Sequence, residues 1–317
     1  MGQTFSSSST PVEKECDALE GLFEKLRQSQ SLPGRLFYLE EPARYAPHAS
    51  NFQDIDPKYR HIPKPSLGRP LTLRRARFFK HRPADLVLAV RSYIQPRDLR
   101  LTDMQNEAIR KWNEIDIMNC TDQFLSVLTK AILEKYFHIF DDLFFGGTLG
   151  EKVTIVASAT PNDDAGLRGI ARQDFDSTHN CYVPKSTITI YDHQDPIFGK
   201  RMRFFFNTLV HEMCHAFFQV YRCVGSCCDN DSLLELGPTG HGIMFQELAY
   251  DIERMAARKS VLGFKLNLGR YFNLLRDIWD EADWKDRMDV SRWGFDEQKI
   301  AKDLNKRKAR SLKSVPH

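Results

Sequence analysis

The chemistry in this chain is written in one stretch, His211-Glu212-Met213-Cys214-His215. On a helix, residues i and i+4 lie one above the other on the same face, so both imidazoles can reach one ion. The glutamate after the first histidine falls beside that ion, where it can take a proton from an attacking water. A catalytic zinc site needs a third protein ligand and a fourth position left open for water or substrate. The candidates downstream are His241, Glu235, Asp231 and the thiols of Cys223, Cys227 and Cys228. His241 leads them. Gly240 and Gly242 flank it and let the backbone approach a neighbour closely, and it stands where a helical pattern opens. Glu235, in Leu233-Leu234-Glu235-Leu236, has no helix long enough to aim it before Gly237 and Pro238. Cys223 should leave at the far end of the histidine helix, and Cys227 and Cys228 have no rigid element to direct them. The three thiols read as buried members of an inserted loop. His193 and His138 have no second ligand at metal spacing and read as non-ligands.

Several elements must hold these groups. A helix from about Arg201 to Tyr221 would carry His211 and His215, with Phe205, Leu209, Met213 and Phe217 as its buried ridge and Phe204, Phe218 and Tyr221 widening it. A second, opening at Thr121, repeats apolar residues at the 3.6-residue period from Phe124 to Phe140 and is expected to pack on the first. Thr102 caps another, running to Met118. Val153 to Ala157 and Thr187 to Tyr191 read as strands, the latter with Ile188 and Ile190 alternating with threonines, and Gly169 to Cys181 can supply a hairpin partner. Pro161 to Gly166 has turn chemistry. After His241, Ile243, Leu248, Ile252 and Met255 mark the inward face of a further helix.

The run Asn207-Thr208-Leu209-Val210-His211-Glu212-Met213-Cys214-His215-Ala216, followed by Gly240-His241-Gly242 and Phe245, resembles the SprT-like metalloprotease domain of the Spartan family. Phe140-Asp141-Asp142-Leu143-Phe144-Phe145-Gly146-Gly147-Thr148-Leu149 is similar to the segment leading into that family's first strand, and Val153 to Ala157 and Ala165-Gly166 follow in the same order. The resemblance covers about residues 120 to 260. It implies a zinc-dependent peptidase with His211, His215 and His241 as ligands and Glu212 as catalytic base, in a family whose activity is commonly linked to proteins crosslinked to DNA. The loop between His215 and Gly240 is longer than the family leads one to expect. The C-terminal region has no paired Cys-x-x-Cys of a zinc ribbon.

Composition sets bounds on this reading. With 42% apolar and 27% charged residues the chain falls in the soluble globular class, and no apolar run spans a bilayer. Seven cysteines, an odd number, without a basic-then-apolar leader favour a reducing compartment, nuclear or cytoplasmic. The net charge of +3 names no partner, but its distribution is uneven. Arg69, Arg74, Arg75, Arg77, Lys80, Arg82, Arg91, Arg97 and Arg100 face only Asp85 and Asp98, a stretch suited to phosphate or anionic lipid, with Phe78, Phe79 and Tyr93 as stacking surfaces. A solvated basic surface is the plainer account. Lys302 to Lys313 make a second basic run. Gly2 and Ser6 fit the N-myristoylation pattern, which would place a peptidase at a membrane surface. Thr10, Pro11 and Glu13 open an N-terminal helix with Val12, Cys16, Leu19, Phe23 and Leu26 on one face.

The expected fold is α+β: a zincin-like domain with a small sheet packed on the active-site helix. Its expected limits are residues 101–262, after a partly disordered extension over 1–100 and before a helical extension with a basic tail over 263–317. Phe264, Leu268, Tyr271, Phe272, Leu275, Ile278 and Trp279 supply the apolar side of that last extension, with Trp284 and Trp293 nearby. The expected activity is hydrolysis of peptide bonds, with protein as substrate and DNA as a possible partner. The competing reading is a non-catalytic scaffold stapled by zinc that binds nucleic acid or anionic lipid through its basic stretches. Oligomeric state is not legible.

Overall fold

Three strands and the helix that crosses them place the histidine motif. In the computed structural model β1 is Val153–Ser158, β2 is Gly169–Asp176 and β3 is Val183–Tyr191. β3 is central, parallel to β1 and antiparallel to β2. Side chains alternate across a strand. Ile188 and Ile190 of β3 are therefore fully buried while Thr187 and Thr189 are partly exposed. The register sets Ile155 and Ala171 on either side of Ile188, a buried row on the face that meets the helix. The structure describes residues 71–95, 100–114, 130–158, 168–176, 183–192, 198–223, 235–237, 239–278 and 289–313. All belong to the larger of the two units into which the chain divides.

Among the described residues the remaining elements are helical. In chain order they are α1 (Pro83–Ile94), α2 (Asp103–Glu114), α3 (Lys130–Phe140), α4 (Phe198–Tyr221), α5 (Ile243–Ala256), α6 (Arg270–Asp277) and α7 (Glu297–Lys313). α4 is the histidine helix, and its ridge of Phe205, Leu209, Met213 and Phe217 is buried as its periodicity requires. Gln219 fastens it to the sheet: its amide donates to the Ala171 carbonyl (2.9 Å) and accepts from Ser186 Oγ (2.7 Å). Behind it α3 contributes Tyr136 and Phe140, which form an aromatic cluster with Phe206 of α4 and Trp112 of α2. α2 starts at a reciprocal cap: Thr102 Oγ1 accepts from Gln105 N, and Gln105 Oε1 accepts from Thr102 N. α3 runs into a π turn, Asp141–Phe145. The Asp141 carboxylate there accepts from Leu149 N and Gly150 N (3.1 and 2.8 Å to Oδ2) and so sets the approach to β1.

The α+β class is therefore observed. One hydrophobic core runs through α1, α2, α3, the sheet, α4, α5 and Val261 to Leu268, crossing both of the boundaries read from the sequence. α6, α7, Val290 and Trp293 form a smaller cluster.

Several expectations are corrected. Arg91 does not belong to a free basic surface. It pairs with Asp251 (2.6 Å) and with Glu247, both on α5. Arg82 pairs with Glu235 (2.7 Å). Phe79 is fully buried and offers no stacking face, and Tyr93 is partly buried with its hydroxyl donating to the Asp142 carbonyl (2.6 Å). Phe78 lies against the ring of Tyr221. Carboxylates that meet these arginines arrive about 150 residues later in the chain, which a local charge tally cannot see. Arg74, Arg75 and Arg77 are exposed. Phe272, expected on an apolar face, is 39% exposed. The N-terminal helix and Gly2, Pro161 to Gly166, His193, Cys227, Cys228, Asp231, Trp279 and Trp284 lie outside the described residues. None of the helices described is long and apolar enough to cross a membrane.

Candidate metal centre

The three imidazoles converge. Nε2 of His211, His215 and His241 are separated by 3.1 Å (His211 to His215), 3.0 Å (His215 to His241) and 3.1 Å (His241 to His211). All three side chains are buried. His211 and His215 come one turn apart on the middle of α4. His241 comes from the turn before α5, where Gly237 and Gly240 both have positive φ. The approach is close on both sides of it. A Cβ on Gly240 would stand 3.4 Å from the His215 ring, and one on Gly242 would stand 2.6 Å from the backbone of Leu236 and Gly237. Phe245, the first turn of α5, sets its ring centre 4.8–5.0 Å from each of the three imidazoles and makes an apolar wall behind them.

The hydrogen bonds fix which nitrogens carry protons. The Leu268 carbonyl can only accept, so the 2.8 Å contact to His211 Nδ1 places the hydrogen there and leaves Nε2 with its lone pair. Thr239 Oγ1 stands 2.8 Å from His241 Nδ1 and also meets the Asp277 carboxylate. The hydroxyl hydrogen goes to the carboxylate, so the hydroxyl oxygen accepts from His241 Nδ1–H. Burial lowers the basicity of all three rings, His211 to about 4 and His215 and His241 well below their ordinary value. Two neutral imidazoles with bare Nε2 atoms thus face each other at 3.1 Å in an apolar setting, with His215 closing the triangle. A cation between them turns that repulsion into three bonds. A tetrahedral zinc ion, with Zn–N of about 2.0–2.1 Å, sets its ligand atoms about 3.3 Å apart. The observed spacings of 3.0–3.1 Å are slightly shorter than that and of the size one small metal ion would need. The three histidines therefore lie close enough to hold one metal ion, and they are the cluster of that kind among the described residues.

Glu212 is fully buried on the same helix. Its neighbour across the sheet edge is Gly169, the first residue of β2. A Cβ there would lie 2.6 Å from Thr208 Cγ2, 3.0 Å from Glu212 Cγ and 3.2 Å from Glu212 Oε1. The strand start is glycine because the α4 carboxylate and threonine occupy the space a side chain would need.

The other candidates for third ligand are settled by geometry where they are described. Glu235 is engaged with Arg82 and with Ala84 N (3.2 Å). Cys223 is buried beyond the end of α4 and its backbone N–H donates to the His81 carbonyl. Four supporting groups escaped the sequence reading: the Leu268 carbonyl, Thr239, Asp277 and Gly169. Only Thr239 gave any local signal, as the hydroxyl residue two positions before His241. Leu268 and Asp277 lie 57 and 36 residues from their partners.

Because burial keeps the imidazoles neutral, protons compete for the three nitrogens late. Metal affinity falls as pH drops through the ligand pKa values, and those values are depressed here. A metal ion bound there should stay with the protein as pH falls from 7 through the ordinary histidine value of about 6.5, and leave as it nears about 4. Metal content after dialysis across that range, for the protein loaded with zinc, checks this. Release already complete near pH 6.5 would contradict it.

Comparison of the chain with protein-family models, with curated proteins and with solved structures found no match.

Proposed function

We propose that the chain is a zinc-dependent metallopeptidase with a zincin-like, SprT-like active site. The observation that carries this is the convergence of three imidazole Nε2 atoms at 3.0–3.1 Å beside a buried glutamate on the same helix. When bound, zinc supplies a Lewis acid that polarises a carbonyl and brings the pKa of water to about 7. His211, His215 and His241 would hold it. Glu212 takes the proton of the attacking water and returns it to the departing amine. The apolar wall of Phe245 keeps the surroundings of low polarity, which strengthens every charge interaction at the site. β1 and β2 are the two edge strands of the described sheet, and the first residue of β2 abuts Glu212, so an extended peptide laid along the β2 edge would pass the carboxylate. The proposed substrate is protein, including protein attached to DNA. Among the described residues of the basic stretch, Arg74, Arg75 and Arg77 are exposed and would be the first to meet phosphate, whereas Arg82 and Arg91 are paired within the fold.

The test is hydrolysis of an unstructured protein by the full chain, with and without single-stranded and double-stranded DNA. Cleavage should stop on removal of the metal by chelator and return on addition of about one equivalent of zinc. A zinc-loaded protein that cleaves nothing under any of these conditions, while chelation merely lowers its melting temperature, would instead identify a structural zinc staple.

A further inference from the structure

The contacts around His241 single out two residues that no motif marks. Asp277, at the end of α6, is buried and reaches across to the turn that carries His241. Its Oδ1 meets both the hydroxyl and the backbone N–H of Thr239 (3.3 Å to N), and its Oδ2 accepts from the backbone N–H of His241 (3.2 Å). One carboxylate therefore holds the turn at two successive points and also receives the Thr239 hydroxyl. The turn is shaped for it: Gly237, at φ 75°, lies so close to Asp277 Oδ2 that a side chain there would collide with the carboxylate. Thr239 then presents its oxygen to His241 Nδ1 at 2.8 Å.

We propose that Asp277 and Thr239 are positioning residues for the metal centre, forming a relay Asp277–Thr239–His241 that fixes the ring direction and tautomer of the third ligand. The inference rests on reading the three imidazoles as ligands of one metal ion. Its physical content is a chain of donors and acceptors with one direction. The carboxylate accepts from the hydroxyl, so the hydroxyl oxygen is left to accept from Nδ1–H, and Nε2 is left bare to face the metal. Without the relay His241 could rotate or hold its proton on Nε2, and either would remove it from the ligand set. Groups in this outer position typically change metal affinity by about 10-fold to 100-fold when removed. His211 is served differently. The Leu268 carbonyl orients it, and Leu268 is itself held by Glu253, whose Oε1 accepts from Leu268 N (2.8 Å) and whose Oε2 pairs with Arg270 (2.7 Å). His241, on a turn of glycines rather than on a helix, depends on side chains.

Thr239→Val tests this with little change of shape, since it replaces the hydroxyl by a methyl. Zinc affinity is measured by competition with a chelating dye, and the visible spectrum of the cobalt-substituted protein reports ligand geometry. Thr239→Val should bind one zinc about 10-fold to 100-fold more weakly and change the cobalt spectrum, and Thr239→Ser should restore both. Asp277→Asn should shift affinity in the same direction. If that variant does not fold, Thr239→Val decides alone. His241→Ala is the control for the site. If it loses zinc while Thr239→Val and Asp277→Asn bind zinc as wild type does, the relay is wrong and the metal site stands. A loss in Thr239→Val that Thr239→Ser fails to repair also overturns the relay. If His241→Ala keeps its zinc, the ligand set itself is wrong and the relay falls with it.

Discussion

Glu212→Gln is expected to keep one tightly bound zinc per chain and to lose peptide hydrolysis by about 10²-fold to 10⁴-fold, the range associated with removing a general base. The residue is fully buried beside Gly169, and glutamine matches the size of glutamate, so the packing of α4 on β2 should survive. What changes is the chemistry of one atom. A carboxylate oxygen can take a proton from water and hand it on, whereas an amide has no useful basicity at neutral pH. The metal should remain because its three nitrogen ligands are elsewhere, on His211, His215 and His241. The two readouts are metal content and turnover of a protein substrate. Wild-type turnover in a zinc-loaded Glu212→Gln protein would remove the general base from the mechanism.

His241→Ala is expected to weaken zinc binding by roughly a hundredfold to a thousandfold. That follows if the ~10–16 kcal/mol typical of a structural zinc site is shared among four positions. Activity should go with it. The variant removes one corner of the Nε2 triangle and leaves His211 and His215, a pair that α4 holds but that cannot close a site alone. It also leaves Thr239 Oγ1 without its ring partner. Serine at Cys223, Cys227 and Cys228 together should leave zinc in place. Cys223 is buried beyond the end of α4, its backbone tied to the His81 carbonyl. Metal content after dialysis against a mild chelator separates the cases. Full zinc in His241→Ala, with loss in the cysteine variant, would move the third ligand to sulfur.

The histidine motif was legible because a helix has a fixed repeat. Residues 211 and 215 must share a face wherever the helix goes, and the buried ridge from Phe205 to Phe217 states which way it faces. β3 was legible from Ile188 and Ile190 alternating with threonines, for the matching reason that a strand has a period of two. His241 was read from its two glycines, and the structure gives them their purpose: Gly242 meets the Leu236 backbone and Gly240 meets the His215 ring. What stayed hidden was everything that depends on two distant segments. The exposed-looking arginines of residues 82 and 91 have carboxylate partners in and just before α5. Asp277 looks in sequence like any acidic residue near the end of a short helix. Gly169 looks like a turn residue, and its need to be glycine comes from Glu212 across the sheet edge. The region carrying the family resemblance also stops at about residue 260, short of Leu268 and Asp277.

The order of these residues along the chain bears on how the centre comes into being. A chain is made from its N-terminus, so the three imidazoles leave the ribosome before either group that steadies two of them. His211 waits for the carbonyl of Leu268, and His241 waits for the carboxylate of Asp277. Until residue 277 has emerged, the nascent protein carries the three imidazoles without the full set of their supports. The site is thus completed only once residue 277 has been made, and a fragment ending at residue 262 contains all three imidazoles but not the frame that aims them.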